Sequence, residues 1–229
     1  MTAEIVMQDL QKLEDIEKKK ILQRFFKTGI GEYGEGDVFL GITVPKQRIV
    51  AAKHKDLELK DIQKLLDSKV HEHRLTGLFI LVSKFKKTKD KAIVDFYIRN
   101  AKKVNNWDLV DSSADSILGD YLFDKDKSVL ISLAKSTNLW ERRISIISTY
   151  SFIKKGDAEW TFKISEILIN DKEDLIQKAV GWMLREVGKR VSEEKEEIFL
   201  KRYYKKMPRT MLRYAIERFD DKKRKFYMS

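Results

Sequence analysis

The chain has 229 residues, 42% of them apolar and 36% charged, with a formal net charge of +11 from 47 Lys and Arg against 36 Asp and Glu. This composition permits a sizeable core, suits a soluble, charge-rich helical protein better than a disordered chain, and favours a polyanionic partner, nucleic acid ahead of a membrane surface. The absence of cysteine excludes disulfides, thiolate nucleophiles and cysteine-based metal sites, and is compatible with a reducing compartment.

Apolar residues recur at helical spacing, with no convincing alternation of period two. The spacing predicts helices over 3–27, 45–54, 58–67, 71–87, 90–103, 106–122, 126–135, 139–154, 158–169, 173–189, 193–206 and 208–219. Near its start the chain has Glu4 and Asp9 and lacks the apolar stretch of an export signal. The irregular stretch is Gly29 to Asp37. Its Gly29-x-Gly31-x-x-Gly34 formally matches a dinucleotide fingerprint, but it follows a helical pattern and carries Glu32, Glu35 and Asp37 where phosphate would sit. It reads as a loop. Pro45 suits the first turn of the next helix, and Thr43 before it offers either a cap or a phosphate contact beside the helix amides. Leu78 to Val82, the longest apolar run, is too short to cross a bilayer, so a soluble cytoplasmic protein is expected.

Alternate helices show a repeat. Arg74, Asp111, Arg143, Lys178 and Arg213 take similar places near helix starts, at successive spacings of 37, 32, 35 and 35 residues. One helix pair per unit at this period predicts an all-α fold, an α-solenoid of HEAT-like helical repeats with a concave basic groove, spanning 1–229 as a single domain. Four of the five positions are cations, a natural track for a phosphate backbone. The bland alternative for each is a bond to an acid or carbonyl of the next repeat. Asp111 is the exception in sign.

Single motifs are weak. His71-Glu72-His73 looks like a metal cluster, but residues i and i+2 point apart on a helix, and no metal site is expected. No Gly-x-Ser-x-Gly elbow occurs. Trp107, Trp140, Trp160 and Trp182 individually read as core, because a helical Trp buries a large apolar area. Trp107 and Asp111, four apart, share a helix face, yet an acid near a helix start is commonly favoured by the dipole alone. Arg142 and Arg143 would ordinarily be solvated or salt-bridged.

Several blocks taken together resemble one family. Gly34 to Gly41, Asn106-Trp107-Asp108-Leu109-Val110-Asp111, Asn138 to Ile144, Lys178 to Glu186 and Met207 to Tyr214 are similar, in order, to the AlkD-like DNA alkylation repair enzymes, HEAT-like-repeat alkylpurine DNA glycosylases. The resemblance places that family's catalytic aspartate on Asp111, its cleft tryptophans on Trp107 and Trp182, and its cleft arginine on Arg143. It implies hydrolysis of the N-glycosidic bond of N3- or N7-alkylated purines in duplex DNA. No lysine motif suggests Schiff-base chemistry, so a monofunctional enzyme leaving an abasic site is expected, with no cofactor. Candidate DNA contacts are Thr43, Arg48, Arg142, Lys178, Arg185 and Arg213. Whether the base is flipped stays open; a groove with no evident aromatic-lined pocket, and the resemblance itself, point to action on the sugar from outside the base stack. The partner is double-stranded DNA, the protein a monomer, nucleoid-associated when bound. The rival readings are a non-catalytic HEAT-like module that binds damaged or structured DNA, and a helical scaffold for an acidic protein.

Overall fold

A computed structural model describes residues 1–229. It is all-helical, as the periodicity predicts; the one extended pairing is an isolated bridge between Val38 and Val70. The chain forms two compact units, Met1–Ser113 and Ala114–Ser229. No helix is long and apolar enough to cross a membrane.

The first unit comprises α1 (Ala3–Gln11), α2 (Ile16–Phe25), α3 (Val44–Lys53), α4 (Leu59–Leu66), α5 (His71–Thr88), α6 (Lys91–Asn100) and α7 (Trp107–Asp111), with a short 3₁₀ turn after α6. Helix α5 is its axis. It buries residues on every side, Leu75, Leu78, Ile80 and Leu81 among them, and α1, α3, α4, α6 and α7 all pack on it. A helix apolar all round belongs in a core rather than at a surface. Where the periodicity predicts one helix over 3–27, the chain breaks at Lys12–Asp15. Asp15 caps α2 by accepting from the Lys18 N–H at 3.0 Å, while its own N–H donates to the Leu40 carbonyl at 2.9 Å. Gly41 lies at φ +83°, and a Cβ there would overlap the Asp15 carbonyl oxygen; this contact requires glycine.

The second unit opens with a π-helical turn, Asp115–Gly119, and continues through α8 (Asp120–Leu122), α9 (Ser128–Ala134), α10 (Leu139–Ser148), α11 (Tyr150–Lys154), α12 (Glu159–Ile167), α13 (Asp174–Arg190), α14 (Glu193–Tyr203), α15 (Arg209–Ala215) and α16 (Asp221–Met228). Helix α13 is the spine, with α10, α11, α12, α14 and α15 against it. It meets α15 closely because Gly181 has no side chain: a Cβ would overlap the Met211 carbonyl oxygen and the Tyr214 side chain. Helix α16 is not anticipated by apolar spacing, since Asp221 to Lys225 are all charged. It forms because Asp220 accepts from the Lys223 N–H at 2.9 Å, Tyr227 is buried, and Lys223 pairs with Glu193 and Glu197 at 2.5 and 3.1 Å. The repeat register holds on the helices: Arg74 is the fourth residue of α5, and Asp111, Arg143, Lys178 and Arg213 are each the fifth of α7, α10, α13 and α15.

Candidate functional site

In the first unit the site centres on α7. Asn106 caps it by accepting from the Trp107 N–H at 2.9 Å, and its own amide donates to the Phe26 carbonyl at 3.5 Å. Within the helix Asp108, Leu109 and Val110 are buried, whereas Trp107 and Asp111 are half-exposed. A five-residue helix with a buried middle can present only its i and i+4 residues together, and here they are the aromatic plate and the acid. Trp107 stacks on Phe26, with centroids 5.4 Å apart at 30°, and meets Phe25 edge-on at 6.1 Å.

Beneath α7 lies a buried ionic network. His71, 1% exposed, points Nε2 at Asp108 Oδ2 (2.8 Å) and Nδ1 toward Asp37 Oδ2 (3.6 Å). Asp37 also accepts from Arg74 and, at 2.8 Å, from the Asn105 amide. Phe39 and Phe26 stack on the imidazole at 4.5 and 5.2 Å. Burial by itself would lower the His71 pKa; the Asp108 carboxylate and then Asp37 outweigh it, so the pKa is raised and the ring favours the imidazolium. Burial likewise opposes ionisation of Asp37, but His71, Arg74 and Asn105 hold its pKa below the usual carboxylate value. This network fixes α7 and Asn105 to the start of α5. Arg74, one of the four repeat cations, is therefore turned inward.

The His71-Glu72-His73 trio divides into three structural duties, as the divergence of i and i+2 suggests. Glu72 accepts from the backbone N–H groups of Leu40, Gly41 and Ile42 at 2.9, 2.8 and 3.2 Å, holding the loop that brings in Asp37. His73 bonds Ser68 through Nδ1 at 2.9 Å, and burial pushes its pKa down to about 4.

Contrary to the expectation from sequence, an aromatic-lined pocket is present. A cavity of about 290 Å³ in the first unit lies under α2, walled by Phe25, Phe26, Phe39 and Ile42, with His71 and Asp108 among its polar members. Its rings come from positions 25, 26 and 39, too far from the recognisable α7 motif for spacing to connect them. Thr43 is exposed at the N-terminus of α3 and lines the same cavity; its side chain makes no cap bond. Arg48 is exposed with its guanidinium 4.1 Å over the Phe79 ring.

In the second unit Trp182 is half-exposed, its ring 6.0 Å from Tyr150. Arg190 and Lys154 lie 5.4 and 5.0 Å over that tyrosine, and Arg190 pairs with Glu186 at 2.7 Å. Arg143 is 5% exposed and donates to the Leu175 carbonyl at 2.5 Å. Arg142 is tied down by Asp171 at 2.7 Å and by the carbonyls of Ser136 and Thr137 at 3.0 Å, the salt-bridged state that is ordinary for such an arginine. Lys178 pairs with Asp174 at 2.6 Å and Arg185 with Glu217. Arg213 is exposed and, with Arg185 and Arg224, lines an open cleft of about 480 Å³. Trp140 is buried, as a core tryptophan should be, and Trp160 carries Lys163 at 4.3 Å.

A sequence profile of the family described as "DNA alkylation repair enzyme" matches residues 6–219. Among solved structures, a "Predicted DNA alkylation repair enzyme from Enterococcus faecalis" superposes with a TM-score of 0.74 at 17% identity, covering 91% of this chain and 97% of that one. At that identity the likeness concerns the fold. No curated protein matches the chain at a significant level.

Proposed function

The chain belongs to the DNA alkylation repair enzyme family, and from that premise we propose that it is a monofunctional glycosylase releasing N3- and N7-alkylated purines from duplex DNA. The observation that carries the reading is the presentation of Trp107 and Asp111 as the two accessible residues of α7. Alkylation at N3 or N7 puts positive charge on the base and weakens its bond to deoxyribose. As that bond breaks, cationic character moves to the sugar. An Asp111 carboxylate nearby stabilises it and orients or deprotonates the attacking water. At about 4 Å and an effective dielectric of about 20 this attraction amounts to about 4 kcal/mol. Exerted only in the transition state, it accelerates cleavage about a thousandfold.

Trp107 offers shape and a cation–π attraction of about 0.5–2 kcal/mol. In the second unit we assign Trp182 an aromatic contact to DNA, and Arg143, always protonated, a phosphate contact for which its buried guanidinium must leave the Leu175 carbonyl. Thr43, Arg48, Arg142, Lys178, Arg185 and Arg213 contribute backbone contacts; those now ion-paired would exchange a carboxylate for a phosphate. The protein acts as a monomer on cytoplasmic DNA, over its whole length 1–229.

Release of 7-methylguanine from methylated duplex tests the reading. We expect Asp111→Asn to abolish release while keeping duplex affinity within a few-fold. Full activity in that variant refutes the role of Asp111. Salt-sensitive binding by the wild type without release of any base supports the non-catalytic module instead.

A further inference from the structure

The open cleft of the second unit gathers charge from three helices. Arg185 comes from α13, Arg213 and Glu217 from α15 and the 3₁₀ turn that ends it, Ile216–Arg218, and Arg224 from α16. Three guanidiniums and one carboxylate thus line a space of about 480 Å³, within the roughly 300–1,000 Å³ of ligand sites. Helix α16 is firmly seated: Tyr227 is buried, Lys223 pairs with Glu193 and Glu197 of α14, and Arg209 donates to the Met228 carbonyl at 2.8 Å. Arg224 and Met228, four apart and so on one face of that helix, both line the cleft. Helix α16 lies beyond residues 6–219, the stretch that the family profile matches, so family membership does not speak for Arg224.

The arginines of this cleft are loosely held. Arg185 pairs with Glu217, whose side chain is 59% exposed. Arg224 pairs with Asp221 at 3.6 Å, and that carboxylate is 89% exposed. Arg213, itself exposed, makes no ion pair. Solvated pairs of this kind contribute little, so each guanidinium can exchange water or a loose carboxylate for a stronger acceptor. Guanidiniums favour oxyanions that they can grip with two N–H groups, and phosphate suits that fork. A chain of phosphodiesters also offsets the mutual repulsion of three like charges, which a single carboxylate does not.

We propose that this cleft seats the DNA backbone, with Arg224 a phosphate contact alongside Arg185 and Arg213, and with Glu217 an internal counter-ion that a phosphate displaces from Arg185. The inference rests on the reading of duplex DNA as the substrate, and it requires no base release.

Duplex affinity of the intact protein, measured across a salt series, tests this, with charge-matched controls outside the cleft. Arg224→Ala should weaken binding about fivefold to tenfold near about 0.1 M salt and lower the slope of log affinity against log salt by about 1, as one lost phosphate contact does. Lys222→Ala makes the same change of charge at an exposed neighbour that does not line the cleft, and should leave the slope nearly unchanged. Glu217→Gln should tighten binding a few-fold, the worth of one exposed ion pair; Glu194→Gln, at an exposed position of α14, should not. In an Arg185→Ala background the gain from Glu217→Gln should shrink, because the guanidinium that it releases is gone. The side chains at 194, 217, 222 and 224 are all exposed, so the fold is not at risk. Equal effects of Arg224→Ala and Lys222→Ala, no gain from Glu217→Gln, or a gain undiminished without Arg185 overturns the proposal, as does absence of duplex binding by the wild type. Base release separates the two readings. Release with indifferent cleft variants refutes the cleft alone, whereas cleft effects on binding without release refute the glycosylase chemistry alone.

Discussion

Replacing His71 by alanine should loosen the first unit in a pH-dependent way. The imidazole makes the only hydrogen bond on the Asp108 carboxylate, whose other oxygen has no partner, and it faces Asp37 at 3.6 Å. Removing one partner from a buried ionic pair leaves an uncompensated charge and costs about 3–5 kcal/mol. That is a large share of the roughly 5–15 kcal/mol that holds an ordinary domain together. Because His71 has a raised pKa in the folded chain, its contribution is fully present below its unfolded value of about 6.5. It is lost as pH rises through the higher folded value. Urea denaturation of wild type and His71→Ala, at about pH 6 and again at about pH 9, should therefore show a gap that narrows toward alkaline pH. A variant as stable as wild type near pH 6, or a gap that widens with pH, would refute the reasoning. Base release should fall alongside stability, since the same network seats α7.

Glu196 is buried with its pKa raised to about 9 by burial and by Glu193 and Glu197, so folding at neutral pH takes up a proton. Glu196→Gln removes that step; bridging from 4.5 to pH 7 costs at most about 3 kcal/mol, so the variant should be more stable at pH 7 by up to that amount. The gain should vanish near pH 4.5 in a denaturant series, and a pH-independent gain would contradict the assignment. Gly181→Ala should push α15 off α13 and lower stability by about 1–3 kcal/mol, read as a fall in thermal midpoint. Arg213→Ala should weaken binding to duplexes of any sequence and reduce the slope of log affinity against log salt by about 1; an unchanged slope would remove Arg213 from the DNA contacts.

The fold was legible because its repeat is local. Apolar spacing marks most of the helices, and the five repeat positions recur on the helices where spacing put them. The site was legible at α7, where Trp107 and Asp111 stand four apart in sequence and so share one helix face. What escaped was long-range. Asp37, His71 and Asp108 are separated by 34 and 37 positions, and nothing in a histidine or an acid at such distances announces a shared buried network. Asp37 instead counted as a loop acid that spoke against phosphate. Phe25 and Phe26 lay inside one long predicted helix, so the break at Lys12–Asp15 that frees α2 to roof a cavity was invisible. Helix α16 escaped for the opposite reason: ion pairs, not apolar periodicity, hold it.

A helix without a buried residue has a consequence for amide hydrogen exchange. Opening α2 exposes little new apolar surface, so its amides should exchange through a local event of low free energy while those of α5 wait for global unfolding. The chain thus has a built-in reporter. Deuterium uptake confined to residues 16–25 measures how firmly that roof is held down, and it slows only when something beneath it adds to the grip.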